Sequence, residues 1–414
     1  MAQPPFRFVH ASDFHLEHPL YGVAEAPDHL HDLFLDAPYR AAQRVFDLVV
    51  AEQVEFLVLS GDILHCECAG PRGPAFLLEQ FSRLKDHGIR VYWAGGHVDP
   101  PELWPDTLDL PDNVRVFSRA RPEELFHQRD GAPLARLVGA SGGPRCRVRT
   151  TDFLPGAGGL FSIAVAYGLI DERAWPEQGI DYWALGGIHR RGTSTSGAYL
   201  AHYPGTPQGR QPEETGAHGA TLVQVDIDGR ARTRLLTCDV ARWHREHLEV
   251  DAATTRADLE RQLAERMAAL QAAAPGVDLL CTWTVEGAGP LVGQLRHGHL
   301  ASELLAWLRN QYATGSPSAW SVSLAAEPPP PSKEHDAQDT LLGDLLREVR
   351  RLEDTPDEPL EVDAYLHERH LAGSIAAAVR IVDPPTRGRT LREVAALCTD
   401  LLGGNARGGE ESLP

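Results

Sequence analysis

The amino-acid sequence predicts an α/β fold in which mixed β-sheets are flanked by helices, followed by a smaller α/β unit. Strand and helix signals alternate along the first part of the chain, and a run of short β-rich segments without intervening helices comes next. This order is typical of layered domains built on a mixed sheet. The 414 residues, 43% of them hydrophobic, suffice for two or three domains with buried cores. The composition excludes a fibrous repeat, a disulfide-stapled miniprotein and an intrinsically disordered chain.

The elements predicted for the first domain, residues 1–240, follow from local apolar patterns. Val54–Ser60 is a short apolar run typical of a buried strand, and Ala41–Val50 carries apolar residues at helical spacing. A second helix is predicted at Ala75–His87. The other strands are predicted at Phe6–His10, Ile89–Trp93, Leu134–Ala140, Phe161–Ala166, Tyr182–Gly186, Tyr199–Tyr203 and Thr221–Ile227.

A small α/β domain is predicted over residues 241–326. Its first helix, Thr255–Ala273, begins at a pair of threonines and ends before a Pro-Gly dipeptide, which are ordinary start and stop signals. The remaining elements are a helix at His299–Asn310 and strands at Glu246–Val250, Leu279–Val285 and Ala319–Leu324.

The proline run Pro328–Pro331 predicts an extended linker over residues 327–338. A helical region is predicted beyond it, over 339–403, with helices at Asp339–Leu352 and Thr390–Leu402, and residues 404–414 are predicted to be a disordered tail. The first of these helices carries an apolar stripe. The pattern alone leaves two interpretations open, a solvated appendage and a docking helix for a partner.

The charge of the chain constrains its partners. Lysine plus arginine number 39 against 58 acidic residues, which gives a net charge of −19 that repels polyanions at long range. Contact with a nucleic acid would therefore need a local arginine cluster. Arg145, Arg147 and Arg149 alternate, so a strand there would point all three to one side, either toward a phosphate backbone or into solvent.

No stretch of the sequence has the roughly 18 consecutive apolar residues that a membrane-spanning helix needs. The first residues lack a basic segment followed by an apolar core, so no secretory signal is predicted. The six cysteines are scattered without a CxxC pair. We therefore expect a cytoplasmic protein with no membrane partner.

Four polar clusters follow predicted strands, at the edge where open α/β sheets place their ligands. Carboxylates and imidazoles that converge there can bind divalent cations such as Mn²⁺, Fe²⁺ or Zn²⁺. The clusters are Asp13-Phe14-His15, Gly61-Asp62, Gly95-Gly96-His97 and Gly186-Gly187-Ile188-His189.

In this order the motifs resemble those of the calcineurin-like metallophosphoesterases, in particular the SbcD/YhaO branch of DNA repair exonucleases. Further segments are similar to that branch: Phe8–Leu16, Leu110–Ser118, Asp181–His189, Pro204–Arg210 and Glu214–Val225. The resemblance implies a layered metallophosphoesterase fold, with the small α/β unit as a capping domain. It also implies Mn²⁺-dependent phosphodiester hydrolysis in DNA and a coiled-coil SbcC/YhaN-like ATPase partner, for which we expect docking on the C-terminal helices. A homodimer is a further expectation.

The resemblance also implies roles for individual residues. One metal would be held by Asp13, His15, Asp62 and His189, and His97 would be the catalytic histidine that protonates the leaving group. The second metal of the family would share Asp62, but its other ligand positions are occupied here by Gly96, Tyr167 and Gly187. Glycine offers no donor and a neutral phenol is a poor ligand for Mn²⁺. The resemblance and these replacements together imply one divalent cation, Mn²⁺, and a second metal site that lacks most of its ligands.

Several alternatives stay open at this stage. Hydrolysis by one metal, an inactive subunit that binds DNA ends or regulates the ATPase, and a phosphatase of small phosphoesters are all compatible with the motifs. Arg190 and Arg191 follow His189 and could contact a phosphate. His65-Cys66-Glu67-Cys68 could supply replacement ligands for Zn²⁺, or could be an ordinary loop in which His65 only borders the site.

Overall fold

The computed structural model describes residues 4–24, 26–65, 70–104, 109–142, 147–154, 156, 159–170, 179–196, 199–287, 289–327, 339–356, 358, 360 and 384–402. The chain divides into two compact units. The first comprises Met1–Arg245, Gln271–Thr282 and Tyr312–Val322. The second comprises Glu246–Leu270, Trp283–Gln311 and Ser323–Pro414. Residues 328–338 of the predicted linker 327–338 and the tail 404–414 lie outside the described residues.

The strands, numbered in chain order, are β1 Phe6–Ala11, β2 Phe56–Leu59, β3 Arg90–Ala94, β4 Val114–Phe117, β5 Glu123–Arg129, β6 Ala132–Ala140, β7 Arg147–Val148, β8 Phe161–Tyr167, β9 Leu169–Ile170, β10 Tyr182–Gly186, β11 Gly192–Ser196, β12 Tyr199–Tyr203, β13 Gly219–Val225, β14 Ala231–Thr237, β15 Ala241–Val250, β16 Asp278–Gly287 and β17 Ala319–Glu327. The helices are α1 Asp28–Ala51, α2 Arg72–Asp86, α3 Arg256–Ala273, α4 Pro290–His297, α5 Leu300–Tyr312, α6 Leu341–Asp354 and α7 Pro384–Leu402.

The first unit contains two six-stranded mixed sheets, as the α/β prediction requires. The first sheet has the order β14-β13-β1-β2-β3-β4, in which β1 to β4 are parallel and β13 is antiparallel to β1. The second has the order β11-β12-β10-β8-β6-β5, in which the four central strands are parallel. Aromatic and aliphatic side chains of both sheets form one buried cluster, with Phe8 and Phe56 from the first and Tyr182 from the second.

Helices α1 and α2 pack on the other face of the first sheet through a second apolar cluster. The prediction for α1, Ala41–Val50, was too short, because the helix begins at Asp28 and continues through Pro38. The added turns bury Leu30, Leu33 and Phe34 at helical spacing. Burial of this apolar face outweighs the cost of a proline inside the helix.

The strands β15, β16 and β17 form a three-stranded sheet in that order. In the second unit, α3 buries Leu259, Leu263 and Met267. The helices α6 and α7 pack against each other through a small apolar cluster that includes Leu346 and Leu391. Part of the predicted apolar stripe is therefore used within the unit.

Within the part of the chain that the structure describes, no helix is both long enough and apolar enough to cross a membrane.

Candidate metal centre

The site residues lie just after β1, β2, β3 and β10 and, for Tyr167, at the last position of β8, where the parallel strands end. The loops after β1 and β2 are joined by backbone hydrogen bonds from Asp13 N to Gly61 O (2.9 Å) and from His15 N to Asp62 O (3.0 Å). Asp13, His15 and Asp62 all have left-handed φ angles of 55°, 45° and 54°. Non-glycine residues rarely adopt this conformation, and when they do they often lie at functional sites.

Three of the four predicted ligands of the first metal form one cluster. Potential ligand atoms of Asp13, His15 and His189 lie within 4.8 Å of one another. The carboxylate of Asp13 is fully buried and accepts hydrogen bonds from Ser12 Oγ (2.5 Å) and from Gly187 N (3.1 Å). Burial, together with the charge of Asp62, raises the pKa of Asp13 to about 6.

The environment of His15 shows whether the cluster suits a cation. Its Nε2 is buried and has no hydrogen-bond partner among the described residues, although it lies 3.6 Å from Asp62 Oδ2. Burial lowers the pKa of His15 to about 2, and the charges of Arg210 and His189 add to this effect, so the ring is neutral. A neutral imidazole with an unsatisfied nitrogen beside two carboxylates is a suitable ligand for a divalent cation. The residues present therefore fit a metal ion.

Two residues that the sequence reasoning missed orient His189. Glu214 Oε1 lies 2.7 Å from His189 Nδ1, and this hydrogen bond raises the pKa of the histidine. Because Nδ1 is used in this way, Nε2 is the ring atom available to a cation, as in carboxylate–histidine–metal arrangements. Arg210 is buried, with Nη2 3.3 Å from Nδ1 and 3.5 Å from Nε2 of the same ring. Glu214 and Arg210 belong to segments that resemble the family, but neither carries a motif of its own.

The fourth predicted ligand, Asp62, is held by different partners. Its Oδ1 accepts hydrogen bonds from the backbone N–H groups of His97 (2.8 Å) and Val98 (3.1 Å). Its Oδ2 accepts a hydrogen bond from the hydroxyl of Tyr167 at 2.7 Å. Asp62 is therefore close to His15 while its carboxylate is engaged with the loop after β3 and with Tyr167.

The ring of Tyr167 fills the space between Asp62 and the glycines of the predicted second-metal positions. A Cβ atom added to Gly96 would lie 2.9 Å from Cδ2 of Tyr167, and one added to Gly187 would lie 3.1 Å from the same ring. Gly187 also has a φ of 95°, which side chains rarely adopt. Gly187 therefore makes room for the ring of Tyr167, whereas a Cβ at position 96 would also lie 2.5 Å from the backbone N of Asp62, so Gly96 packs against Asp62 as well as against the ring.

A buried carboxylate, Asp99, holds the loop that carries His97. It accepts backbone hydrogen bonds from Asp62 (2.9 Å), Ile63 (3.0 Å) and Gly96 (2.5 Å) and one from the indole of Trp93 (3.1 Å). Burial, with the nearby charge of Asp62, raises the pKa of Asp99 to about 7. The side chain of His97 is exposed to solvent.

The predicted arginines lie in different places. Arg190 is exposed, and Arg191 donates a hydrogen bond to Thr233 Oγ1 at 3.2 Å. The guanidinium in contact with His189 is that of Arg210 instead. A phosphate-binding role for Arg190 and Arg191 stays a prediction. Cys66 to Cys68, and Arg145, lie outside the described residues.

A cavity of about 260 Å³ borders Tyr167. Several arginines line it, among them Arg119, Arg121, Arg147 and Arg149. In a chain with a net charge of −19, this is a local concentration of positive charge beside the site.

Comparison with protein families agrees with this fold. The family model of the calcineurin-like phosphoesterases matches residues 6–217, and the chain belongs to this family. A second model, the middle domain of metallophosphoesterase YhaO, matches residues 243–327.

The chain is 30% identical, over 232 residues, to the uncharacterized metallophosphoesterase YhaO of Bacillus subtilis (strain 168). This match covers 53% of the chain and 57% of that relative, so the chain spans little more than half of the relative's length. Among solved structures, an archaeal phosphodiesterase is similar with 14% identity and a TM-score of 0.30, covering 56% of this chain and 99% of that one. A double mutant of Vps29 from Entamoeba histolytica is similar with 12% identity and a TM-score of 0.27, covering 56% and 98%.

Proposed function

We propose that the protein is a metal-dependent phosphodiesterase of the SbcD/YhaO type that acts on DNA with a single divalent cation, Mn²⁺. The observation that carries this proposal is the cluster of Asp13, His15 and His189 around the unsatisfied Nε2 of His15. The hydroxyl of Tyr167 on Asp62 supports one cation instead of two, because it engages the carboxylate that a second ion would have to share. Activity below that of a two-metal enzyme is expected for this reason.

Different residues of the chain have different roles in the proposed hydrolysis. A divalent cation bound by Asp13, His15 and His189 would supply Lewis acidity, neutralising charge on the phosphoryl group and activating a water nucleophile. Glu214 fixes the orientation of His189. The exposed imidazole of His97 follows a loop anchored on Asp62, so it can reach solvent-facing substrate and protonate the leaving oxygen.

DNA as the substrate is supported by the arginine-lined cavity beside Tyr167. Arg119, Arg121, Arg147 and Arg149 could bind phosphates that flank the bond to be cleaved, which an acidic protein can do only through such a local cluster. A small phosphoester would not need this extended contact.

The coiled-coil ATPase is proposed as a partner of the region 339–403. Leu342, Leu346 and Val349 of α6 are buried within the helix pair, but other apolar side chains of the two helices are exposed and available for docking. The exposed ones are Leu341, Leu345, Val394, Leu397 and Leu402.

A second candidate function is a non-catalytic subunit that binds DNA ends or regulates the ATPase. The phenol of Tyr167 on Asp62 favours it, since loss of the second cation removes half of the charge stabilisation in a two-metal mechanism. The arginine-lined cavity would serve binding equally well.

One experiment separates these functions. Metal-free protein is incubated with Mn²⁺ and end-labelled duplex DNA, or with bis(p-nitrophenyl) phosphate, and hydrolysis is compared between the wild type, Asp13→Asn and the exposed control Asp112→Asn. Mn²⁺-dependent DNA cleavage that only Asp13→Asn abolishes would support the nuclease. DNA binding without cleavage in all three proteins would favour the non-catalytic subunit, and cleavage of the small ester alone would refute DNA as the substrate.

A further inference from the structure

Three side chains of ligand type lie beside the first cluster and have no role in it. They are Glu17 and His18, in the loop after β1, and His65, in the loop after β2. Potential ligand atoms of these three residues lie within 4.8 Å of one another. None of them belongs to the metal motifs of the family resemblance, and none occupies a predicted second-metal position.

The two loops are already joined in the arrangement that a shared ion would need. Leu16 N donates a hydrogen bond to Ile63 O at 3.3 Å, extending the contacts between the loops beyond the strand ends. Further along, His65 N donates to Glu17 Oε1 at 2.7 Å. The Glu17 carboxylate is therefore held against the backbone of His65, so ordering this carboxylate on a cation costs little additional entropy.

Glu17 provides an independent sign of a missing ligand. Its side chain is only 10% exposed, and Oε2 is buried without a hydrogen-bond partner among the described residues. A buried carboxylate oxygen without a partner is unfavourable, and a bound cation would satisfy it.

His18 and His65 lie close enough to Glu17 to bind the same cation. His18 Nε2 lies 3.8 Å from Glu17 Oε1, and the rings of His18 and His65 are 6.0 Å apart with an interplanar angle of 30°. The side chain of His18 is 48% exposed, so this side of the cluster is open to solvent and to an entering ion.

We propose that Glu17, His18 and His65 form a binding site for a Zn²⁺ ion. Two imidazoles and one carboxylate are a donor set that Zn²⁺ accepts, with a remaining position for water, whereas Mg²⁺ and Ca²⁺ prefer oxygen ligands throughout. This ion joins the loops after β1 and β2. It lies on the His18 side of His15, whose ring is 5.7 Å from that of His18.

The test measures zinc stoichiometry and coordination on the full chain. Chelator-treated protein is titrated with Zn²⁺ and its metal content is determined by elemental analysis. Co²⁺ substitution then reports the coordination geometry in the visible spectrum. The variants are His65→Ala and Glu17→Gln, which keeps an oxygen acceptor for His65 N, together with Asp13→Asn and His87→Ala, an exposed histidine at the end of α2. Thermal unfolding checks that each variant folds.

The expected result is two Zn²⁺ per chain in the wild type and His87→Ala, and one in His65→Ala, Glu17→Gln and Asp13→Asn. For the lost ion, affinity should fall at least about 100-fold, the upper end of the effect of losing an outer-shell partner. Two ions retained in both His65→Ala and Glu17→Gln, or a single wild-type ion that only Asp13→Asn removes, would overturn the site. Hydrolysis is measured separately, so loss of one ion in His65→Ala supports the site even if the proposed nuclease activity fails.

Discussion

The two halves of the centre are built in opposite ways. Around His15 and His189 the structure leaves a nitrogen without a hydrogen-bond partner among the residues it describes, and it supplies a carboxylate, Glu214, to orient a ring. Around Tyr167 the ring packs against glycines, and its hydroxyl donates a hydrogen bond to Asp62. The first half is arranged to receive a ligand, and the second half is complete without one.

The largest effect is expected from breaking the first half. His15→Ala removes the neutral imidazole from the Asp13–His15–His189 cluster, so metal-dependent hydrolysis and Mn²⁺ affinity should each fall at least about 100-fold. Isothermal titration with Mn²⁺ and a phosphodiesterase assay measure this. His87→Ala is the matched control, and equal losses in both variants would contradict the assignment.

The next largest effect is expected from reopening the second half. The triple variant Gly96→Asn, Tyr167→His, Gly187→His removes the phenol ring and restores three donors, so the Mn²⁺ content should rise by one ion per chain. The left-handed φ of Gly187 will cost the variant about 1–2 kcal/mol of stability. The new Cβ at position 96 would also lie 2.5 Å from the backbone N of Asp62, so the loop after β3 must shift in this variant.

Tyr167→Phe serves as the control for this experiment, because it removes only the hydroxyl that donates to Asp62 and leaves the ring in place. Its metal content should equal that of the wild type, as determined by elemental analysis. A rise in Tyr167→Phe alone would show that the hydrogen bond, and not the ring, excludes the ion. A folded triple variant with unchanged metal content would argue against exclusion of the ion by the ring.

A smaller effect is expected from the orienting residue of the first half. Glu214→Gln weakens the hydrogen bond to His189 Nδ1, so Mn²⁺ affinity should fall about 10- to 100-fold while the ligands stay in place. Calorimetric titration measures the change. The adjacent exposed Glu213→Gln is the control, and an unchanged affinity in Glu214→Gln would remove Glu214 from the centre.

The smallest effect on the centre is expected from acid, because acid acts on the stability of the fold through two buried histidines outside both halves. Burial lowers the pKa of His202 to about 3 and also lowers that of His10, while the unfolded chain titrates near the ordinary value of 6.5. Between these values the unfolded state binds protons that the folded state does not. The free energy of unfolding should therefore fall as the pH drops below 6.5, by at most about 1.4 kcal/mol per pH unit for each histidine.

Urea unfolding between pH 7 and pH 4 measures this slope, and His202→Gln should reduce it. The side chain of His202 contacts Thr193 and Thr221, so the substitution keeps polar atoms for both hydroxyl groups. An identical slope in the variant would show that other groups govern the acid sensitivity.

The strands of the two large sheets show which parts of the fold are visible in the sequence. All eight central strands were predicted, whereas the four edge strands, β4, β5, β11 and β14, were not. A central strand has a neighbouring strand on each side and is covered on both faces of the sheet, so it needs a continuous apolar run. Edge strands carry more exposed residues, as the alternating burial of β14 shows, and their pairing partners are not recorded in the local pattern.

The sequence by itself determined the fold class and the motif residues Asp13, His15, Asp62, His97 and His189, because strand ends and short motifs are local signals. The tertiary structure alone decided what surrounds them. The hydrogen bond between Tyr167 and Asp62 joins residues 105 positions apart, and that between Glu214 and His189 joins residues 25 positions apart. Such contacts depend on how separate strands bring their ends together. The packing of the Tyr167 ring against glycines is therefore set by the tertiary structure, and no local sequence pattern predicts it.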